Sequence, residues 1–63
     1  MNSVKKYRDK NNITQEEMAK KLGITQQAYS RKERGERKFF VDEGFILEET
    51  LNVPLRELFK ELD

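Results

Sequence analysis

Apolar residues recur along the chain at the spacing of one face of an α-helix, in several short segments. The clearest run has apolar residues at positions i, i+3, i+4 and i+7, namely Leu55, Leu58, Phe59 and Leu62. Polar and charged residues occupy most of the intervening positions, so each segment would bury one side and expose the other. The pattern predicts an all-α fold with helices over residues 2–11, 15–22, 26–34 and 42–51, and a fifth helix that begins at Pro54.

Residues that favour helix ends lie at the predicted boundaries. Thr14 and Glu17 have the spacing of a capping box, and Thr25 can cap the following helix with its hydroxyl. Gly23 and Gly35 each follow a predicted helix, where a residue that tolerates positive φ is favoured. These local signals agree with the apolar pattern on where the second and third helices begin and end.

The segment 15–35 has the features of two short helices joined by a tight turn. Ala19 is small enough to let two helices cross closely, and Gly23 permits the turn between them. The residues expected to face inward are Met18, Ala19, Leu22, Ile24 and Tyr29. The residues expected to face outward are Gln26, Gln27, Ser30, Arg31 and Arg34. This spacing is typical of a helix-turn-helix, whose second helix enters the DNA major groove.

The composition narrows the chemistry that this chain can perform. Sixty-three residues correspond to one domain, residues 1–63, near the lower size limit for a core without disulfides or metals. The sequence has no cysteine and no histidine, which excludes disulfides, Cys/His zinc sites and histidine-based acid–base catalysis. No apolar run approaches the roughly 18 residues that span a membrane. We therefore expect a cytoplasmic protein that is not an enzyme and that has neither a metal site nor a cofactor.

The net charge of +1 conceals a strong asymmetry along the chain. Residues 1–38 contain 11 Lys or Arg and 5 Asp or Glu, a net +6, whereas residues 39–63 contain 2 and 7, a net −5. The basic part contains the predicted helix-turn-helix, and its charge suits a nucleic-acid partner. Charge runs are also common on ordinary solvated helix faces, so it is their coincidence with the motif that favours DNA binding.

The segment that follows the helix-turn-helix combines basic and aromatic residues. Arg37 and Lys38 lie in a predicted loop, from which their side chains can reach DNA phosphates. Phe39 is expected to anchor this loop to the core. Gly44 lies inside the predicted fourth helix, where glycine costs about 1 kcal/mol relative to alanine. We expect Phe40, four residues earlier, to cover the space that Gly44 leaves.

Over essentially its whole length, the sequence resembles the Cro/repressor-type (XRE-like) helix-turn-helix regulators of bacteria and phages. The matching positions are Arg8, 13–19 (ITQEEMA), 22–25 (LGIT), Ser30, 33–35 (ERG), 51–53 (LNV) and 58–59 (LF). The resemblance implies a compact five-helix, lambda-repressor-like DNA-binding domain with the helix-turn-helix at helices 2 and 3. It further implies a transcriptional regulator, with repression as the expected role, that binds a short palindromic operator.

The same resemblance assigns expected DNA contacts to individual positions. Gln26 and Gln27 at the start of the third helix, and Arg31 one turn later, would contact base edges. Glutamine can pair bidentately with adenine and arginine with guanine, although glutamines are also common as soluble helix formers. The residues expected to contact the DNA backbone are Gln15, Ser30 and Arg34, together with the two loop cations, Arg37 and Lys38.

The resemblance also implies a structural ion pair and identifies two departures from the family pattern. Arg8 in the first helix and Glu33 at the end of the third are expected to pair, which would tie the recognition helix to the scaffold. Lys32 stands where the family usually has an apolar residue; its alkyl stem should pack while its ammonium reaches DNA or an acid. Tyr29 replaces a smaller aliphatic residue, and its hydroxyl needs a partner or solvent.

The expected partners are a double-stranded DNA operator and a second copy of the chain. One small domain contacts one half-site, so tight binding calls for a homodimer, at least on DNA. The candidate dimer interface consists of Val53, Leu55 and Leu62. No membrane partner is expected, and no small-molecule effector site is recognised.

An alternative interpretation is an antitoxin or controller-type module. In that case the acidic part, residues 39–63, would bind a partner protein while DNA contact is auxiliary. The candidate surface for such a partner consists of Phe45, Ile46, Leu55 and Leu62. This alternative predicts that partner binding survives the loss of the expected base-contacting residues.

Overall fold

The computed structural model describes residues 2–60, and these residues form five helices without any strand. The helices are α1 (Val4–Lys10), α2 (Gln15–Leu22), α3 (Gln26–Glu33), α4 (Val41–Leu51) and α5 (Leu55–Leu58). The predicted all-α fold with five helices is therefore confirmed. Leu62, which was predicted to extend the apolar stripe of the fifth helix, lies outside the described residues.

One hydrophobic core holds the five helices together. Every helix contributes at least one buried apolar residue, namely Val4, Met18, Ala19, Tyr29, Leu47, Leu51 and Leu58. The backbone amide of Ser3 donates a hydrogen bond of 2.8 Å to the carbonyl oxygen of Leu58, so the start of α1 is fastened to the end of α5. The helices thus form a scaffold that is closed by contacts between the two ends of the described chain.

The turn between α2 and α3 is set by local capping. The Thr14 hydroxyl accepts from the Glu17 amide at 3.0 Å, and the Glu17 carboxylate accepts from the Thr14 amide at 2.8 Å. The Thr25 hydroxyl accepts from the amide of Ala28 at 3.1 Å at the start of α3. Gly23 between them has φ = 72°, the left-handed conformation that favours glycine. The predicted capping box and turn are therefore confirmed.

The loop between α3 and α4 is held by aromatic packing. The ring of Phe39 lies 6.0 Å from that of Tyr29 and 5.8 Å from that of Phe59, both in tilted arrangements. Such aromatic contacts favour a fixed position, which agrees with the prediction that Phe39 anchors this loop.

The prediction that Phe40 covers Gly44 is wrong. A Cβ atom added to Gly44 would lie 3.1 Å from Cδ2 of Leu55, so it is α5 that fills the space beside this glycine. Phe40 instead lies immediately before α4 and is 63% exposed. The glycine is explained by the close approach of α5 to α4, because a larger residue would push Leu55 outward.

Candidate nucleic-acid interface

The outer face of α3 presents polar and basic side chains to solvent. Gln27, Ser30, Arg31 and Arg34 follow one another at i, i+3, i+4 and i+7 and line one shallow depression. Gln26 and Gln27 are both exposed in the first turn of the helix. The structure therefore brings the five outward-facing residues of the predicted motif together on one side of the molecule.

The arginines on this face differ in their contacts. Arg34 donates from Nη1 to the Ser30 hydroxyl at 2.9 Å and from Nε to the Glu36 carboxylate at 2.9 Å. Glu36 raises the pKa of Arg34, and Arg34 in turn lowers the pKa of Glu36. Arg31 extends from α3 without an ion pair to any residue between 2 and 60. The Arg31 guanidinium is therefore available to a partner, whereas that of Arg34 is already paired with Glu36.

Glu33, on the inner side of α3, is the centre of a buried network. Arg8 donates to its two carboxylate oxygens, from Nε at 2.8 Å and from Nη2 at 3.1 Å. The Tyr29 hydroxyl and the Gln15 amide donate to the same carboxylate at 2.6 and 2.9 Å. The Glu33 side chain is only 2% exposed, so these four hydrogen bonds replace its hydration. The network ties α3 to α1 and α2.

The electrostatics of this network favour the charged forms of Arg8 and Glu33. Burial alone would raise the pKa of Glu33, but the hydrogen bonds from Arg8, Tyr29 and Gln15 outweigh it and hold that pKa below its ordinary value. The hydrogen bond to Glu33 raises the pKa of Arg8. Burial and the adjacent carboxylate raise the pKa of the Tyr29 phenol. Tyr29 therefore acts here as a neutral hydrogen-bond donor.

Gln15 has a structural contact that the sequence analysis missed. Its amide nitrogen donates to Glu33, so the residue expected to hold a DNA phosphate is also part of the scaffold network. The amide has a second N–H, and the residue opens α2, where backbone N–H groups are unpaired. A contact between residues 18 positions apart depends on how α2 and α3 cross, which the local pattern does not specify.

A second buried ion pair ties α3 to α4. The Lys32 ammonium lies 2.7 and 2.8 Å from the two carboxylate oxygens of Glu43, and both side chains are buried. The ammonium also lies 4.0 Å from the centre of the Phe40 ring, a cation–π contact. The Lys32 ammonium was expected to reach either DNA or an acidic side chain, and in the structure it pairs with the acidic side chain of Glu43. The Glu43 carboxylate additionally accepts from the Phe40 amide at 2.8 Å and so caps α4.

The remaining candidate residues lie outside α3. Arg37 and Lys38 are exposed in the loop that follows Gly35, beside the recognition helix in the chain. Val53 and Leu55 are half-buried at the turn between α4 and α5, where the Glu48 carboxylate accepts from the Leu55 amide at 3.0 Å. Leu62, the third residue of the predicted dimer interface, is not among the described residues.

Two further features of residues 2–60 bear on function. None of the helices between residues 2 and 60 is long and apolar enough to cross a membrane. Within the same part of the chain, no group of three or more acidic, histidine or cysteine residues is arranged to hold a metal ion.

Comparison with known proteins agrees with this geometry. Residues 4–58 match a family model described as helix-turn-helix (HTH_3), a match that includes all five helices. No curated protein gives a significant match to the chain. The family match covers most of the 63 residues, and the structure places two capped helices and a tight turn where the motif requires them. The chain therefore belongs to the XRE-type helix-turn-helix family of DNA-binding transcription regulators.

Proposed function

We propose that this protein is a sequence-specific repressor that binds a short two-fold symmetric operator through the DNA major groove. The observation that carries the proposal is the exposed polar face of α3, held by buried ion pairs to α1 and α4. A reading surface has to be presented in a fixed orientation, because base-edge hydrogen bonds require accurate geometry. The proposal includes a cytoplasmic location and an activity without catalysis or a cofactor.

The proposed base contacts come from Gln26, Gln27 and Arg31. All three side chains are exposed on α3. The two glutamines lie in its first turn, the end of a recognition helix that contacts base edges. A glutamine pairs with adenine N6 and N7, and an arginine with guanine O6 and N7, each discriminating by roughly 1–3 kcal/mol. An operator half-site read by these residues should therefore contain both A·T and G·C pairs.

The proposed backbone contacts surround this reading surface. Gln15 lies at the N-terminus of α2, where unpaired backbone N–H groups favour a phosphate. Ser30 and Arg34 are hydrogen-bonded to each other on α3, so a phosphate could accept from both. Arg37 and Lys38 follow in an exposed loop. These contacts would set the register of α3 on the duplex without reading sequence.

The proposed assembly is a homodimer on DNA, with residues 1–63 acting as one domain in each subunit. Two domains on one face of the duplex would contact half-sites about one helical turn apart. The proposed interface uses Val53 and Leu55, which are half-buried at the turn between α4 and α5, together with Leu62. Half-buried apolar side chains leave area for a partner to cover.

Selection from a random DNA pool tests this proposal. The protein is incubated with the pool at about physiological salt, and the retained fragments are recovered and sequenced. An enriched sequence with two-fold symmetry and half-sites near one helical turn apart is the expected result. The triple variant Gln26→Ala/Gln27→Ala/Arg31→Ala serves as the matched control, since it keeps the proposed backbone contacts. Retention of unrelated sequences by both proteins would contradict sequence-specific function.

A second candidate function is supported by exposed apolar residues on α4. Phe45 is 56% exposed and Ile46 also reaches solvent, an arrangement that a partner protein could cover. An antitoxin or controller-type module would use this surface, together with Leu55 and Leu62, for its partner. Phe45→Ser should then abolish partner binding and leave DNA binding intact. Loss of both activities in the α3 triple variant would contradict this second candidate.

A further inference from the structure

A groove of about 560 Å³ lies between the loop that precedes α4, the first turns of α4, and α5. Its walls are formed mainly by Phe39, Phe40, Val41, Leu55 and Phe59. Phe40 and Val41 are 63% and 73% exposed, so this apolar surface is open to solvent in the described part of the chain. The volume lies in the range of small-molecule sites, and the mixture of aromatic and aliphatic walls is typical of them.

Positive charge borders this apolar surface. Arg37, Lys38 and Arg56 line the groove, and none of the acidic residues between 2 and 60 does. None of these three cations forms an ion pair with another residue between 2 and 60. An apolar wall beside unpaired cations complements a molecule with an apolar body and an anionic head. Among the described residues, the groove shares only Leu55 with the proposed dimer interface, and a second copy that covered the whole groove would bring two sets of cations together, which is unfavourable.

We propose that this groove binds a small amphipathic anion, an aliphatic or aromatic carboxylate, which competes with DNA for Arg37 and Lys38. The apolar body would cover Phe40, Val41 and Phe59, and the carboxylate would lie among the rim cations. The competition rests on the proposed function, in which the same two loop cations contact phosphate. The DNA-binding domain itself would thereby respond to a metabolite, because one pair of cations serves both ligands.

Octanoate is the probe for the site itself, used without DNA and below the concentration at which it forms micelles. Binding is measured by titration calorimetry, and the groove is located from amide NMR shifts of Gly44 and Leu55. We expect octanoate to bind more tightly than acetate, which lacks the apolar body, and than octanol, which lacks the charge. Decanoate should bind about tenfold more tightly than octanoate, because it buries two more methylenes. Equal affinity for octanoate and acetate would overturn the proposal.

Two variants assign the binding to this groove. Arg56→Gln removes a rim cation that has no proposed DNA contact, and it should weaken octanoate binding about three- to tenfold. Lys10→Gln, which removes the same charge from the exposed end of α1, should leave that binding unchanged. Val41→Asp puts a negative charge on the groove wall, at a helix N-terminus that tolerates it, and should abolish octanoate binding. Undiminished binding in Arg56→Gln and Val41→Asp would overturn the proposal.

The competition is measured on the selected operator. Octanoate should raise the apparent Kd for DNA in the wild type, and the effect should be lost in Val41→Asp. Octanoate binding at the groove with no change in operator affinity would overturn the competition. A failure to bind any DNA would instead refute the proposed function. The calorimetry in the absence of DNA would still show whether the groove binds octanoate. A dimer that octanoate dissociates would assign the groove to self-association and overturn the proposal.

Discussion

At the scale of single residues, the interior of this small protein relies on charges that are fully paired. Glu33 accepts four hydrogen bonds inside the molecule, and Lys32 directs its ammonium onto both oxygens of Glu43. Breaking a buried pair by removing one partner leaves an uncompensated charge, which typically costs about 3–5 kcal/mol. No buried side-chain nitrogen or oxygen in the described residues lacks a hydrogen-bond partner. Single substitutions here should therefore affect stability far more than substitutions on the surface.

Replacing Glu33 by alanine should lower the free energy of unfolding by about 3 kcal/mol, because Arg8 is left buried without its carboxylate. Urea denaturation measures the change. Glu16→Ala, at an exposed position of α2, should change it by less than about 0.5 kcal/mol. A loss in Glu33→Ala as small as that of the control would mean that the network contributes little to stability.

The same network predicts how stability depends on pH. The pKa of Glu33 is lower in the folded protein than in the unfolded chain. The stabilisation that ionised Glu33 provides is therefore fully present above the ordinary pKa of glutamate, 4.5. That contribution is lost as the pH falls through the lower native value. The difference in free energy of unfolding between the wild type and Glu33→Gln should therefore shrink as the pH falls from about 5 to the acid limit of folding. A pH-independent difference between the two proteins would contradict this assignment.

Lys32 and Glu43 give a second prediction at this scale. Lys32→Leu should destabilise the fold by about 3 kcal/mol, because Glu43 remains buried without a cation. The double variant Lys32→Leu/Glu43→Gln should recover most of that loss, since the glutamine is neutral and can still accept from the Phe40 amide. Chemical denaturation of the two single variants and the double variant gives the coupling energy. Additive losses would show that the two side chains do not stabilise each other.

At the scale of elements, α3 has two distinct sides. Tyr29, Lys32 and Glu33 are buried and fasten the helix, whereas the glutamines and Arg31 face solvent. The residues that anchor this eight-residue helix are thus different from those that we propose to read DNA. Substitutions on the outer side should therefore change DNA recognition without unfolding the protein.

Gln27→Ala tests this separation. The variant should lose roughly 1–3 kcal/mol of discrimination at one operator position and keep nearly all of its affinity for random DNA. Competition binding with operator variants at fixed salt measures the discrimination, and thermal denaturation shows whether the fold is retained. A parallel fall in affinity for operator and random DNA would exclude base reading by Gln27.

The elements also show what the sequence could predict. Signals contained within a few residues were reliable: the capping box at Thr14 and the positive φ at Gly23 both follow from local chemistry. The Arg8–Glu33 pair was expected only through the family resemblance, whereas the buried Lys32–Glu43 pair and the contact of Gln15 with Glu33, which also join two helices, were not identified. The space beside Gly44 was wrongly assigned to Phe40 for the same reason, because the spacing of residues 40 and 44 does not reveal how closely α5 approaches α4. Tertiary packing decides such contacts.

At the scale of the whole molecule, the uneven charge predicts strong dependence of DNA binding on salt. The proposed cationic phosphate contacts are Arg34, Arg37 and Lys38, so three in each of two subunits make six. The logarithm of the binding constant should then fall against the logarithm of salt concentration with a slope of about −5. Filter binding or fluorescence anisotropy across salt concentrations gives this slope.

Lys38→Ala provides the internal check on that slope. Removal of the Lys38 ammonium should weaken binding to operator and random DNA alike. It should also make the slope shallower by about two units for a dimer, one for each subunit. Lys10→Gln, which removes a cation outside the proposed interface, should leave the slope nearly unchanged. A wild-type slope near half the expected value would indicate that one subunit binds at a time.

The two-sided construction of α3 has a consequence for how such a regulator changes its target. Buried residues that fasten the helix and exposed residues that we propose to contact DNA alternate along it, so the outer set can be exchanged as a group while the inner set keeps the helix in place. A new operator would need a few substitutions on one surface and no redesign of the interior. This protein is accordingly a suitable scaffold for grafting the reading residues of another regulator.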